Sequence, residues 1–157
     1  LKEFEAVLVI VRSNVIEMKF ALLNKYKTQG EFIFRTGNKL SAFCKEVPHA
    51  PGIYLFRTVK DGEEELVYIG ASGTMHQNGN FGKQLMRKRL QNMQTPIIRR
   101  QTFFENELKK RNLDGIRVNW FVTFDEEHQD LPMSVEGQLI QKYFDEHKRL
   151  PIWNNEF

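Results

Sequence analysis

The spacing of apolar positions changes several times along the chain, and each change predicts an element. Phe4, Leu8, Val11, Val15, Met18 and Leu22 recur about one helical turn apart, so residues 3–27 are expected as an amphipathic helix that ends at Gly30. Glu31 to Arg35 reads as a short strand, and Lys39 to Cys44 as a short helix stopped before Pro48. Gly52 to Thr58 and Glu65 to Gly70 are rich in β-branched and aromatic residues, with the turn signal Asp61-Gly62 between them. Lys83 to Met93 returns to helical period, Pro96 ends it or begins the next element, and Thr102 to Arg111 is a charged helix. Ile116, Val118, Trp120, Val122 and Phe124 alternate, which predicts a further strand over Ile116 to Phe124. Ser134 is placed to cap a last helix that runs to about Lys148 and cannot pass Pro151.

The order ββαβα predicts an α/β (α+β) fold, a small three-stranded antiparallel sheet flanked by helices. With 157 residues, one domain is expected over 1–157, with 1–48 as an N-terminal helical extension packed on a core of 49–157. A hydrophobic fraction of 41% and a charged fraction of 27% are those of an ordinary globular chain, so disorder is not expected. The single cysteine, Cys44, leaves no disulfide framework and no cysteine-based metal site, which favours a reducing, cytoplasmic setting. Ala6 to Val11, the longest apolar run near the start, is too short to span a bilayer, so no membrane partner is expected.

Charge adds more through its placement than through its net value of +3. No Asp or Glu occurs from Leu66 to Phe104, while Lys83, Arg87, Lys88, Arg89, Arg99 and Arg100 all fall inside. Unopposed positive charge of this kind is the footprint of phosphate contact, although a solvated basic helix accounts for the same residues.

Two other charges fall on apolar helix faces. At a helical repeat, Glu136 lies among Val135, Leu139, Ile140, Tyr143 and Phe144. Burying an unpaired carboxylate costs several kcal/mol or shifts its pKa, and a place in the first turn of the helix would ease that cost. Such a carboxylate facing a cleft is a ligand for a hard divalent cation. Arg89 lies similarly among Leu85, Met86, Leu90 and Met93, whereas Arg87 and Lys88 point away as candidate backbone-phosphate contacts. An inward arginine presents a planar fork to phosphate. A buried Arg89–Glu136 salt bridge with no catalytic purpose would place the same two residues.

Gly52-Ile53-Tyr54, then Tyr68-Ile69-Gly70, with Arg89 in MRKRLQ, Glu136 in SVEGQLI and Asn154 in LPIWNNEF, resembles the GIY-YIG nuclease family over roughly residues 51–155. The resemblance implies a metal-dependent endonuclease that hydrolyses phosphodiester bonds in DNA, double-stranded in preference. It implies one Mg²⁺ or Mn²⁺ on Glu136, Arg89 on the phosphate, and Tyr68 as base with Tyr54 as orienting hydroxyl, or the reverse. Gly52 and Gly70 would allow close approach to the scissile group, and Lys83 would contact phosphate or lower a tyrosine pKa. Asn154 would anchor the tail beside the site, or serve as a turn residue after Pro151. The insert GTMHQNGNFG leaves Arg87 as second choice for the arginine, and Met93 stands where many members carry a histidine, with His76 of the insert as a substitute. The alternative is a nucleic-acid-binding module that keeps the fold without catalysis.

The resemblance carries a geometric condition. A plain two-residue Asp61-Gly62 hairpin pairs Tyr54 with Ile69 and puts the two tyrosines on opposite faces. Sharing a site requires a longer loop or a bulge.

Overall fold

The computed structural model describes residues 21–157. Its elements in chain order are a 3₁₀ turn (Ala21–Lys25), β1 (Gln29–Phe34), α1 (Leu40–Phe43) with a 3₁₀ turn (Cys44–Glu46), β2 (Gly52–Lys60) and β3 (Glu63–Ser72). There follow α2 (Met86–Gln91), β4 (Met93–Thr95), β5 (Ile98–Arg99), α3 (Arg100–Lys110), β6 (Gly115–Val122) and α4 (Pro132–His147). The helix expected over residues 3–27 falls largely outside the described residues.

The expected three-stranded sheet has four strands, in the order β1-β6-β2-β3, with every neighbouring pair antiparallel. The fourth strand comes from the segment expected as a helical extension, because Phe32 and Phe34 align with Val118 and Ile116 of β6 and join the same apolar layer. Gly30, expected to end a helix, lies inside β1 opposite Trp120, whose indole occupies the space a Cβ would need.

Both faces of the sheet are covered. Tyr54, Phe56, Ile116, Val118 and Trp120 pack against Leu40, Met86, Leu90, Phe104 and Leu108 from the helical side formed by α1, α2 and α3. On the other face Ile53, Leu55, Ile69 and Phe121 pack against Val135, Leu139, Ile140 and Tyr143 of α4. Covering both faces explains why β2 is buried almost continuously instead of alternating. Among the described residues, no helix is long and apolar enough to cross a membrane.

Two helix boundaries differ from expectation. The helix expected over Lys83 to Met93 is only the six residues of α2, and Met93 begins the β4–β5 hairpin instead. Continuing the helix would require the Arg89 and Leu90 carbonyls to accept from residues 93 and 94. Asn92 leaves the helical region instead, at φ −89° and ψ −135°, and Arg100 Nη1 donates to those carbonyls at 2.7 and 3.2 Å. The last helix starts at Pro132, with Leu131 at the N-cap and Ser134 inside the first turn. The fixed φ of proline suits that first position, and Ser134 makes no capping hydrogen bond.

Candidate active site

The β2–β3 hairpin meets the geometric condition in an unexpected combination. Its turn is the plain two-residue one, with Asp61 and Gly62 both at positive φ (51° and 78°) and Lys60 paired with Glu63. A bulge then intervenes: Arg57 pairs with Leu66 and Phe56 with Tyr68, leaving Val67 as the extra residue. Beyond the bulge Tyr54 pairs with Gly70, so both tyrosines lie on one face. Their rings stack with 6.2 Å between centroids, and Phe56 stacks on each, at 5.5 Å from Tyr54 and 5.0 Å from Tyr68. Gly70 permits this, since a Cβ there would meet Tyr54 at 2.5 Å and Tyr68 at 2.7 Å. At Gly52 a Cβ would run into the Phe121 carbonyl. Packing inside the protein therefore accounts for both glycines, where access for a scissile group was expected.

Arg89 and Glu136 come together from opposite sides of the sheet, on α2 and α4. They line one cleft of about 180 Å³ at the open end of the hairpin, walled by Ala71, Ser72, Gly73, Thr74, Gln84 and Met133. The expected salt bridge does not form. Among the described residues, no hydrogen bond or salt bridge engages either side chain. Arg89 is exposed and Glu136 half-buried. Burial raises the Glu136 carboxyl to about 7, against which the Arg89 charge pulls only partly. As the fifth residue of α4 it lies past the first turn, so the relief expected from free helix-end amides is absent.

The cleft wall runs along the end of β3, and Tyr68 stands further back on the same strand, with Tyr54 beside it on β2. Arg89 and Glu136 are near enough to act on the Tyr68 phenol, one lowering and the other raising its pKa. Burial, and after it Tyr54, dominate and push that phenol up to about 12. Tyr68 is therefore a neutral hydroxyl at neutral pH in the protein alone, and serving as a base would need a bound cation to favour phenolate. Tyr54 is only 1% exposed, whereas Tyr68 is partly open to solvent.

Arg100 was not singled out from the sequence, yet it is the most buried charge near the site at 2% exposure. Its guanidinium carbon lies 5.3, 5.1 and 5.6 Å from the ring centroids of Tyr54, Phe56 and Tyr68. Besides the Arg89 and Leu90 carbonyls, it donates from Nε to Gln94 Oε1 at 3.0 Å. A cation against aromatic faces and the carbonyl end of a helix is stabilised without a carboxylate partner. Arg100 therefore ties the tyrosine stack to the helix that carries Arg89. Its place in the run of basic residues was the only available signal, and that run is equally compatible with surface charge.

The remaining candidates separate into two groups. Lys83 and Lys88 are exposed, as phosphate contacts would be. Arg87, expected to point outward, is half-buried and donates from Nε to the Val47 carbonyl at 2.6 Å. Asn154 Oδ1 accepts from Ile69 N at 3.0 Å and its Nδ2 donates to Ile69 O at 2.9 Å. Its own amide also closes a turn onto Pro151 O, so it anchors the tail and forms a turn at once. Both ends of its side-chain amide are engaged by the Ile69 backbone. His76 is exposed within a tight loop closed by Met75–Phe81 pairing.

A larger hollow of about 510 Å³ lies at the turn end of the hairpin, lined by Asp61, Glu63, Glu64 and Glu65 with Lys60 and Arg111. Its four carboxylates would repel a polyanion, so the Arg89–Glu136 cleft is the better candidate despite its smaller size. Among the described residues, no group of three or more His, Cys, Asp and Glu side chains is arranged to hold a metal. No family model, curated protein or solved structure matches the chain.

Proposed function

We propose that this chain is a metal-dependent endonuclease of the GIY-YIG type acting on DNA. The observation that carries the reading is the convergence of Arg89 and Glu136, neither engaged by a described residue, on one cleft beside the stacked Tyr54–Tyr68 pair. A structural ion pair would have joined them. Unpaired with each other, they face the one cleft in which a phosphate would meet both guanidinium and carboxylate.

A carboxylate without a hydrogen-bond or salt-bridge partner among the described residues suits one Mg²⁺ or Mn²⁺, because such an ion is held by one or two carboxylates and completes its shell with water and phosphate oxygens. Bound at Glu136, it would supply Lewis-acid stabilisation of the phosphoryl and leaving oxygens. Arg89 donates to a non-bridging oxygen and stabilises the charge that builds there. The Tyr68 hydroxyl, neutral and partly open, orients the attacking water by hydrogen bonding. Tyr54, buried behind it, fixes the ring by stacking. Lys83 and Lys88 hold the flanking backbone through phosphate contacts.

Supercoiled plasmid incubated with the protein and Mg²⁺ or Mn²⁺ tests this. Nicked or linear product is expected with the wild type and is lost in Glu136→Ala and Arg89→Ala variants that remain folded by circular dichroism. The Tyr68 phenol, far from base-like, favours a second reading as a DNA-binding module without catalysis. Binding without cleavage under both metals would establish that reading and remove the first.

A further inference from the structure

We propose that the β4–β5 hairpin is a DNA-distorting wedge, with Ile97 as the side chain that enters the base stack of duplex DNA held at the cleft. The inference rests on the nucleic-acid reading above and adds the element that grips the duplex. Ile97 is 93% exposed, the most exposed of the described large hydrophobics, including Phe157 near the chain end at 70%. An isolated apolar side chain on a surface is unremarkable. This one is built to protrude. It occupies, with exposed Pro96, the two-residue tip of a hairpin in which Thr95 pairs with Ile98. Pro96 restricts the backbone, and Thr95 Oγ1 accepts from Ile97 N at 3.3 Å. A β-branched side chain adds stiffness at χ1.

The base of the hairpin is rigid with respect to the cleft. Arg100 bonds Gln94 of β4 and the Arg89 and Leu90 carbonyls of α2, so the hairpin and the helix carrying Arg89 are joined through one buried guanidinium. Arg87 is held by Val47 and Arg100 by the core, which leaves Lys83, Lys88, Arg89 and Arg99 as the exposed cations of a segment without Asp or Glu. Exposed cations carried by the same acid-free segment as an apolar tip suit duplex DNA, where phosphates take the cations and an apolar wedge unstacks a base step.

The test uses the full chain in EDTA with a set of duplexes carrying 2-aminopurine at successive positions. The wild type is expected to raise 2-aminopurine emission at one step. Ile97→Ser should abolish most of that rise and weaken binding about tenfold, with an unchanged melting temperature, and Ile97→Leu should retain both effects. Equal emission and affinity for Ile97→Ser would overturn the wedge, as would a change confined to self-association, which would assign the tip to a second copy of the chain. Plasmid cleavage followed in parallel separates the two ideas. Cleavage without dependence on Ile97 leaves the nuclease and removes the wedge, and an Ile97-dependent emission rise without cleavage does the reverse. Absence of duplex binding removes both.

Discussion

Glu136 occupies a position that folding alone does not favour. Its folded pKa of about 7 exceeds the ordinary 4.5, so between those values the folded protein holds more proton than the unfolded chain. Stability contributed by this group is therefore present at low pH and falls as pH rises through that window. In EDTA, Glu136→Gln is expected to gain on the wild type by about 1 kcal/mol more at pH 8 than at pH 5, measured by urea denaturation. Mg²⁺ should restore the wild type at pH 8 and leave the variant unchanged, through preferential binding to the folded state. A pH-independent difference would contradict the burial that motivates the prediction. Gly70→Ala forces the tyrosine stack apart and should lower stability by about 1–3 kcal/mol, visible as a fall in melting temperature. Glu136 was legible in the sequence because helical geometry puts its charge in an apolar sector whatever lies opposite. Arg89, expected to point inward on the same argument, is exposed and Arg87 is the half-buried one, because the helix is only six residues long. The roles of the glycines were not legible, since their neighbours come from β3 itself and from distant β2 and β6.

At the level of elements, Arg100 joins α2 to the β4–β5 hairpin by donating to the Arg89 and Leu90 carbonyls and to Gln94. Periodicity overestimated α2 because Leu90 and Met93 keep helical spacing while the backbone leaves the helical region at Asn92. Arg100→Met is expected to cost about 2–4 kcal/mol, because buried carbonyls lose their donor. Arg100→Lys should recover little, since an ammonium cannot reach Gln94 and two carbonyls with one planar fork. The measurement is cleavage and melting temperature together, well below the transition. A lysine variant with full activity and stability would show that charge alone suffices.

For the molecule as a whole, the distribution of charge turns into a measurable salt dependence. Lys88→Ala should reduce the slope of log affinity for DNA against log salt by about one, whereas Arg87→Ala should leave it unchanged because that guanidinium is committed to Val47. Fluorescence anisotropy over a salt series distinguishes the two. The main sheet was legible in outline from β-branched runs and turn residues. Its fourth strand was legible as a short strand over Glu31 to Arg35, but its place in the sheet was not, because the pairing partner β6 lies far along the chain. The shared face of the tyrosines was legible only as a requirement, for a bulge at Val67 leaves no mark in the local sequence. That bulge also divides the hairpin into two independent lengths. The phase of Tyr68 against Tyr54 is set at Val67, well inside the ladder, so the segment from Thr58 to Glu65 can change its turn or exchange loops while the bulge holds its register. Variation at the hairpin tip is thereby insulated from the tyrosine pair at its mouth, and one supernumerary valine is the coupling that a loop designer must leave untouched.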